Sequence, residues 1–145
     1  MRTEASVAGR IVRAARSCTG ARFRPQGRDP AIGLDCIGLA AFAYRAADAR
    51  PVLPSGYTLR GGDVRSAHDW LMASGFHRIA DAAARVGDLL LLRPGARQLH
   101  LAVHSGTGFI HADLGLRRVV ETPGAPGWPI LSVWRWRPDP REEEV

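Results

Sequence analysis

The spacing of apolar residues changes near the middle of the chain, and this change limits the folds open to it. Before about residue 75 the apolar residues recur every three or four positions, which is the spacing of an amphipathic helix. After that point they form short runs bounded by turn residues, which is the pattern of β-strands. Helices followed by antiparallel strands predict an α+β domain with helices packed against one face of a sheet.

Three helices are predicted in the first half. Residues 4–18 place Val7 and Ile11 on one apolar face, and Thr3 or Ser6 can cap the start.

The second helix is predicted to begin at Asp35 or Cys36, with Asp35 as a preferred capping type, and to run to about Ala47. The third covers residues 63–74 and is closed by Gly75.

Glycine- and proline-rich segments separate these helices. Residues 20–34 and 50–62 are predicted to be loops, the first with too many breakers for a regular element. Five short apolar runs between turn residues are then predicted to be strands. They cover residues 88–93, 99–104, 108–112, 117–121 and 130–136.

The length and composition fit one folded domain. The chain has 145 residues, 46% of them hydrophobic and 23% charged, so it can bury a single core without disulfides or metals. We predict one domain over residues 1–137. Residues 138–145 (PDPREEEV) lack apolar periodicity and are predicted to form a disordered acidic tail.

The chain carries a net charge of +6, and all 20 of its basic residues are arginine. A positive surface favours an anionic partner, either a nucleic acid or a wall polymer that bears carboxylates. The arginines are scattered, and no helix-turn-helix, zinc-finger or RNA-binding motif accompanies them. We therefore predict no nucleic-acid partner.

The sequence has no pattern typical of a membrane span or a secretion signal. The N-terminal stretch has no uninterrupted apolar region, and no run approaches the roughly 18 apolar residues of a span. We predict no membrane partner, no signal peptide and synthesis in the cytoplasm. Two cysteines, Cys18 and Cys36, make a poor disulfide framework, so at least one thiol is predicted to be free.

Cys36 occupies a setting typical of reactive thiols. A loop delivers it to the first turn of the second helix, whose dipole would stabilise a thiolate. A helix start beside an imidazole lowers a thiol pKa from about 8.5 toward neutrality. Cys36 is therefore a candidate nucleophile, the alternative being a buried, inert cysteine. Cys18 lies on the apolar stripe of the first helix and is predicted to be inert.

A nucleophilic thiol needs a base, and the chain has five histidines. The segment LHLAVHSGTGFIHA predicts two strands joined by a tight turn, and pairing about its centre places His100 directly opposite His111. One imidazole could then orient the other. His104 shares the face of His100. His68, in a surface helix, and His77 are predicted to face solvent.

Two other interpretations of the histidines stay open. They could be ordinary cross-strand neighbours. Alternatively, His100, His104 and His111 could bind a metal ion, but strand-borne histidines without an acidic partner nearby are weak evidence for one. We predict no metal site.

The orienting group of the base must be something other than the asparagine that many cysteine-histidine sites use, because the chain has no asparagine. His111 is the natural substitute. Asp113 is the reserve, two residues further along the same strand face.

The motifs GLDCIGLA and HLAVHSGTGFIHA, in this order, resemble those of the NlpC family of papain-like cell-wall cysteine peptidases. The VGDLLLL run, which contains Asp88, is similar to the family's "GD" strand. The resemblance covers nearly the whole chain and implies a papain-like fold with Cys36, His100 and His111 in the site. It also implies hydrolysis of peptidoglycan peptide bonds, commonly between D-glutamate and a diamino acid, without metal or organic cofactor.

The segment RFRPQGRDPAIGLDC is similar to the branch found in phage tails and gene transfer agents. In that branch the domain stands alone without a secretion signal. The resemblance therefore implies that the protein is carried in the tail of a phage-like particle and contacts tail or baseplate proteins.

Two positions depart from the family pattern. Ile37 stands where many members have serine, and Phe23 stands where a signature tyrosine is usual, so two hydroxyls that can contact substrate are missing. The oxyanion would then rely on the Cys36 N–H and a second donor, for which Gln26 is suggested by analogy. Asp35 is predicted to contact the oxyanion or the substrate. A non-catalytic wall-binding or structural tail module is the alternative function.

Overall fold

The computed structural model describes residues 6–49, 59–80 and 83–136. The predicted acidic tail, residues 138–145, lies outside these ranges, as do the first residues of the first predicted helix and most of the predicted loop 50–62.

The three predicted helices are confirmed, each somewhat shorter than expected. They are α1 (Val7–Ser17), α2 (Cys36–Arg45) and α3 (Val64–Ala73). Side chains of Ser6, Asp35 and Asp63 cap them by accepting a hydrogen bond from a backbone N–H in the first turn. A short 3₁₀ helix covers Leu59–Gly61. No helix in the described residues is long and apolar enough to cross a membrane.

The second half forms one antiparallel sheet, as predicted, with one strand more than expected. The strands are β3 (Phe76–Ile79), β4 (Leu89–Gly95), β5 (Gln98–His104), β6 (Gly108–Asp113), β7 (Arg118–Pro123) and β8 (Ile130–Trp136). Their order across the sheet is β3-β8-β4-β5-β6-β7. The additional strand, β3, pairs with β8 at one edge.

The prediction that residues 20–34 form an irregular loop was wrong in one respect, because the segment contains a small hairpin. Its strands are β1 (Arg28–Asp29) and β2 (Gly33–Leu34). Isolated bridges join Phe23 to Leu34 and Arg22 to Arg118, so the segment is anchored to both β2 and β7. The glycines and prolines of this segment allow the chain to bend and still leave room for short stretches of strand pairing.

The main core lies between the helices and one face of the sheet. Ile11 and Ala15 of α1 and Leu39 of α2 pack there against strand residues such as Leu91 and Leu101. Five buried residues form a smaller cluster outside this core: Leu90, Leu92, Ala102, Phe109 and Val133. Residues of the two clusters alternate along β4, as side chains do along any strand. The predicted α+β class is confirmed.

Candidate active site

Cys36 is the first residue of α2, directly after the capping residue Asp35. One oxygen of the Asp35 carboxylate accepts from the Gly38 N–H at 2.8 Å and from Arg28 Nη1 at 2.9 Å, and the other accepts from the Gln26 N–H at 2.8 Å. Asp35 therefore fastens the preceding loop to the start of the helix. A direct part for Asp35 in substrate binding stays a prediction.

Backbone-to-backbone packing fixes the same loop on α2. A β-carbon on Gly38 would overlap the carbonyl oxygen of Gly27, and one on Gly27 would overlap the carbonyl oxygen of Gly33. Only glycine leaves room for these approaches. The three glycines thus determine where the loop lies relative to Cys36.

The predicted lowering of the Cys36 thiol pKa is contradicted by its surroundings. Although the residue is only half-buried, burial is the largest influence and raises the pKa of the thiol to about 12. Hydrogen bonds from the backbone N–H groups of Leu101, Cys36 and Ile37 act in the opposite direction, and the charge of Asp35 raises the pKa further. The helix start does favour a thiolate, as expected, but burial outweighs it.

The two predicted site histidines meet on β5 and β6. Nε2 of His100 lies 2.8 Å from Nδ1 of His111, and the ring planes are 80° apart. His100 precedes Leu101, whose N–H faces the Cys36 sulfur. No hydrogen bond joins the Cys36 thiol to His100 in the described part of the chain. Since Nε2 is occupied, Nδ1 is the nitrogen of His100 left for another partner.

The predicted strand register was wrong, because Val103 pairs with Ile110 and His104 with Phe109. Continued along the strands, this register places His100 two residues away from direct opposition to His111. A shift of two keeps both side chains on the same face, since the strand period is two. The histidines are therefore diagonal neighbours, which still lets the rings touch.

Aromatic side chains enclose the histidine pair. Trp128, in the loop between β7 and β8, lies with its ring centroid 5.7 Å from both His100 and His111. Phe109 contacts His111 at 4.9 Å, and His111 is only 2% exposed. Sequence reasoning missed Trp128; a tryptophan within the glycine- and proline-rich stretch GAPGWP was the available sign.

Asp113 follows His111 by two residues on β6, on the same face of the strand. Its Oδ2 is 3.9 Å from His111 Nε2, too far for a hydrogen bond. Oδ1 accepts from the N–H groups of Gly115 and Leu116, which makes Asp113 an anchor of the β6–β7 turn. His111 is therefore the direct partner of His100, and Asp113 acts through its charge.

Both histidines are held toward the neutral form. Burial, together with His111, lowers the pKa of His100 to about 4. Burial also lowers the pKa of His111, while the nearby charge of Asp113 raises it. A neutral His100 that donates its Nε2 proton to His111 leaves Nδ1 with a free lone pair.

Gln26 occupies an unusual backbone position at the mouth of the loop. Its φ of 60° lies in the left-handed region, which costs a residue with a β-carbon about 1 kcal/mol or more. The side chain is exposed and makes no hydrogen bond within the described residues. An amide in this state is free to bind a ligand, and its role as an oxyanion donor stays a prediction.

The remaining histidines have structural surroundings. His68 was expected to face solvent, but it is half-buried and its Nε2 lies 3.0 Å from the Ser132 hydroxyl. His104 accepts from the Gly106 N–H through Nδ1, and His77 is exposed on β3. The described residues contain no group of three His, Cys, Asp or Glu placed to hold a metal ion.

Asp88, the acidic residue of the "GD" motif, forms a buried ion pair at the start of β4. Its two carboxylate oxygens accept from Nε and Nη2 of Arg135 at 2.8 and 2.9 Å, and the carboxylate also accepts from the Arg85 N–H. This bidentate geometry joins β8 to the turn before β4. The motif is structural here, because the Asp88 carboxylate is engaged by Arg135 and Arg85 and makes no hydrogen bond to His100 or His111 in the described residues.

Sequence comparisons find no relative of this chain: no protein-family profile matches it, and neither does any curated protein. Comparison of the fold does find similar solved structures. NlpC2 from Trichomonas vaginalis superposes with a TM-score of 0.68 at 22% identity, over 91% of this chain and 48% of that one. This chain thus spans about half the length of that protein.

Two further similar structures are those of peptidoglycan hydrolases. The peptidoglycan hydrolase RipB from Mycobacterium tuberculosis gives a TM-score of 0.60 at 23% identity, covering 93% of this chain and 67% of that one. The NlpC/p60 domain of the peptidoglycan hydrolase SagA gives 0.56 at 24% identity, covering 80% and 88%. These likenesses confirm the predicted papain-like fold.

Proposed function

We propose that this chain is a cysteine peptidase that hydrolyses peptide bonds of bacterial peptidoglycan, with Cys36 as nucleophile and His100 as base. The observation that carries the proposal is the 2.8 Å contact between His100 and His111. It engages Nε2 of His100 and leaves Nδ1 for a thiol that lies against the neighbouring Leu101 N–H.

The neutral resting state determines how the reaction begins. With a thiol pKa near 12 and a His100 pKa near 4, sulfur keeps its proton until substrate is bound. Nδ1 of His100 then accepts that proton as sulfur attacks the amide carbonyl. Backbone N–H groups at the start of α2 stabilise the charge that develops on the carbonyl oxygen.

The second half of the reaction restores the enzyme. The carbon–nitrogen bond breaks, and the amine leaves with the proton held by His100. His100 then takes a proton from water, whose oxygen attacks the thioester. The carboxylate product leaves and the thiol regains a proton. His111 holds the imidazole in place throughout, and the charge of Asp113 favours its protonated form.

The substrate class rests on the motifs and the neighbouring structures. RipB and SagA are peptidoglycan hydrolases that share this fold. The net charge of +6 also suits a wall polymer that bears carboxylates.

Digestion of purified sacculi tests the function. The wild-type chain should generate new amine and carboxylate ends, which mass spectrometry of the soluble fragments identifies together with the bond that was cut. Fragments with intact peptides and no new ends would overturn the proposal.

A non-catalytic wall-binding module is the second candidate, and the raised pKa of the Cys36 thiol is the observation that favours it. Such a module would bind sacculi without cutting them. It would also leave Cys36 unreactive toward iodoacetamide at pH 9, whereas the peptidase requires a thiol that electrophiles can reach.

Delivery to the wall forms part of the proposal. The segment that resembles the phage-tail branch suggests that the protein travels on a tail tip or baseplate and meets the wall from outside. Proteomics of purified particles should find the chain in them. If it were found only in the host cytoplasm, the proposal of delivery on a tail would be wrong, but the proposed peptidase activity would not be affected.

A further inference from the structure

An open groove of about 960 Å³ lies between the loop before β1 and the turn that joins β6 to β7. Four arginines line it, namely Arg22, Arg24, Arg117 and Arg118. None of their side chains has a hydrogen-bond or ion-pair partner among the described residues. No Asp or Glu of the described residues lines the groove. The groove is therefore a concentration of unpaired positive charge.

Two of these arginines are held against each other. Arg22 and Arg118 are partners in an antiparallel bridge, which places like charges directly opposite and costs stability. Arg117 adds a φ of 60°, a strained value for a residue with a β-carbon. An anion from outside the chain would relieve this repulsion.

The sheet and the loop before α2 connect the groove to the candidate active site. Arg118 pairs with Asp113 on β6, so its side chain lies on the same face as those of Asp113 and His111. On the other side, the bridge from Phe23 to Leu34 connects the groove's loop to the segment that ends at Cys36. One substrate could therefore reach both places.

We infer that the groove binds carboxylate groups of the wall peptide beside the bond that is cut. The inference rests on the proposed function and adds what the enzyme recognises in its substrate. Arginine matches a carboxylate with two parallel N–H donors, which makes it suited to selecting a free acid over an amide.

The apolar part of the lining favours a short peptide over a nucleic acid. Ile32 and Leu114 are 56% and 62% exposed and border the arginines, so they offer contacts to alanine methyl groups. The volume suits a small ligand rather than a long polyanion.

Binding to an inactive chain separates this inference from the peptidase proposal, because it needs no turnover. Calorimetry on Cys36→Ala would use a stem tetrapeptide, L-Ala-D-Glu-diaminopimelate-D-Ala, with free carboxylates, and the same peptide with its side carboxylates amidated. Adding Arg22→Gln and Arg118→Gln should weaken binding of the free acid about tenfold. The amidated peptide should bind weakly and equally to both proteins.

The matched control removes the same charge at the opposite edge of the sheet and on α3. Arg65 and Arg78 are both exposed, so Arg65→Gln with Arg78→Gln should leave the affinity for the free acid unchanged. If both double variants lost the same affinity for the free acid, net charge alone would attract the peptide, and the inference about the groove would be wrong. No preference for the free acid, or tighter binding of a single-stranded oligonucleotide through Arg22 and Arg118, would also overturn it.

Stability supplies an independent check on the groove. Because Arg22 opposes Arg118, Arg22→Gln should leave the melting temperature unchanged or raise it while the affinity falls. A fall in both would make Arg22 a structural residue and contradict the inference.

Discussion

His100 and His111 share a 2.8 Å hydrogen bond between Nε2 of the first ring and Nδ1 of the second. When neutral His100 donates from Nε2 in this bond, its Nδ1 keeps a free lone pair, and neutral His111 carries its own proton on the nitrogen nearest Asp113. In the proposed reaction, this orientation gives His111 a positioning role and His100 the role of base.

His111→Ala should lower kcat about 10- to 100-fold, because the imidazole of His100 loses the partner that orients it. His111→Asn should keep more activity than His111→Ala, since an amide oxygen can accept the Nε2 proton. Steady-state kinetics on a defined muropeptide measure both.

Asp113→Asn is the control for this prediction, since it removes a charge 3.9 Å from His111 but leaves the bond between the histidines. Its effect should be smaller than that of His111→Ala. A larger effect of Asp113→Asn, with circular dichroism unchanged in both variants, would transfer the orienting role to Asp113.

Thiol labelling should distinguish the two cysteines. Cys18 is 1% exposed, whereas Cys36 keeps part of its surface open, so iodoacetamide should modify Cys36 much faster in the folded protein. Because the pKa of Cys36 is raised to about 12, its labelling rate should still be climbing at pH 9. Mass spectrometry of tryptic peptides follows each site.

If the labelling rate of Cys36 levelled off below pH 7, the thiol would already be a thiolate at neutral pH. This would contradict a resting state in which both Cys36 and His100 are neutral. Equal rates at the two cysteines would remove the distinction on which the nucleophile assignment depends.

Acid should weaken the fold over a defined window. The pKa of His100 is lowered from 6.5 to about 4, so between these values the unfolded chain takes up a proton before the folded one does. The free energy of unfolding should therefore fall as the pH drops from 6.5 to 4. Urea denaturation at a series of pH values measures this.

His100→Gln should reduce that dependence, while His77→Gln, at an exposed histidine, should not. The part that remains comes from His111 and His68, since burial lowers the pKa of both. The ion pair of Glu121 with Arg16, which lowers the pKa of Glu121 from 4.5, acts mainly below this window. An unchanged slope in His100→Gln would contradict the buried, neutral state of the ring.

Gly38→Ala should destabilise the chain, although alanine is ordinarily the better helix former. The added methyl would meet the Gly27 carbonyl, and forcing apart such a contact costs about 1–3 kcal/mol. Activity should fall with stability, because the displaced loop leads to Cys36.

Gly61→Ala is the matched control, since nothing lies within 4 Å of its added β-carbon. Thermal melts should show a lower melting temperature for the Gly38 variant alone. A Gly38→Ala protein as stable and active as wild type would mean that the loop is not held by this contact.

Local chemistry made the start of α2 predictable from the sequence. Asp35 is a good capping residue wherever it lies, and the run after Cys36 forms a helix with little help from distant residues. The strand pattern in the second half was equally local.

The register of β5 and β6 was not predictable in the same way, because it depends on the turn between them. The N–H of Ser105 donates to the Gly108 carbonyl and its hydroxyl accepts from the Gly108 N–H, so the turn is centred on Gly106 and Thr107, one residue beyond the midpoint of the segment. The raised thiol pKa at Cys36 and the cover that Trp128 provides arise from residues brought together only by the fold.

The most direct measurement is the hydrolysis of one defined muropeptide by the wild-type chain and by Cys36→Ala, followed by mass spectrometry. The account predicts paired fragments with a new amine and a new carboxylate from wild type, and no cleavage above background from a folded Cys36→Ala. Equal cleavage by the two proteins would contradict a thiol nucleophile, and cleavage by neither would contradict the peptidase itself.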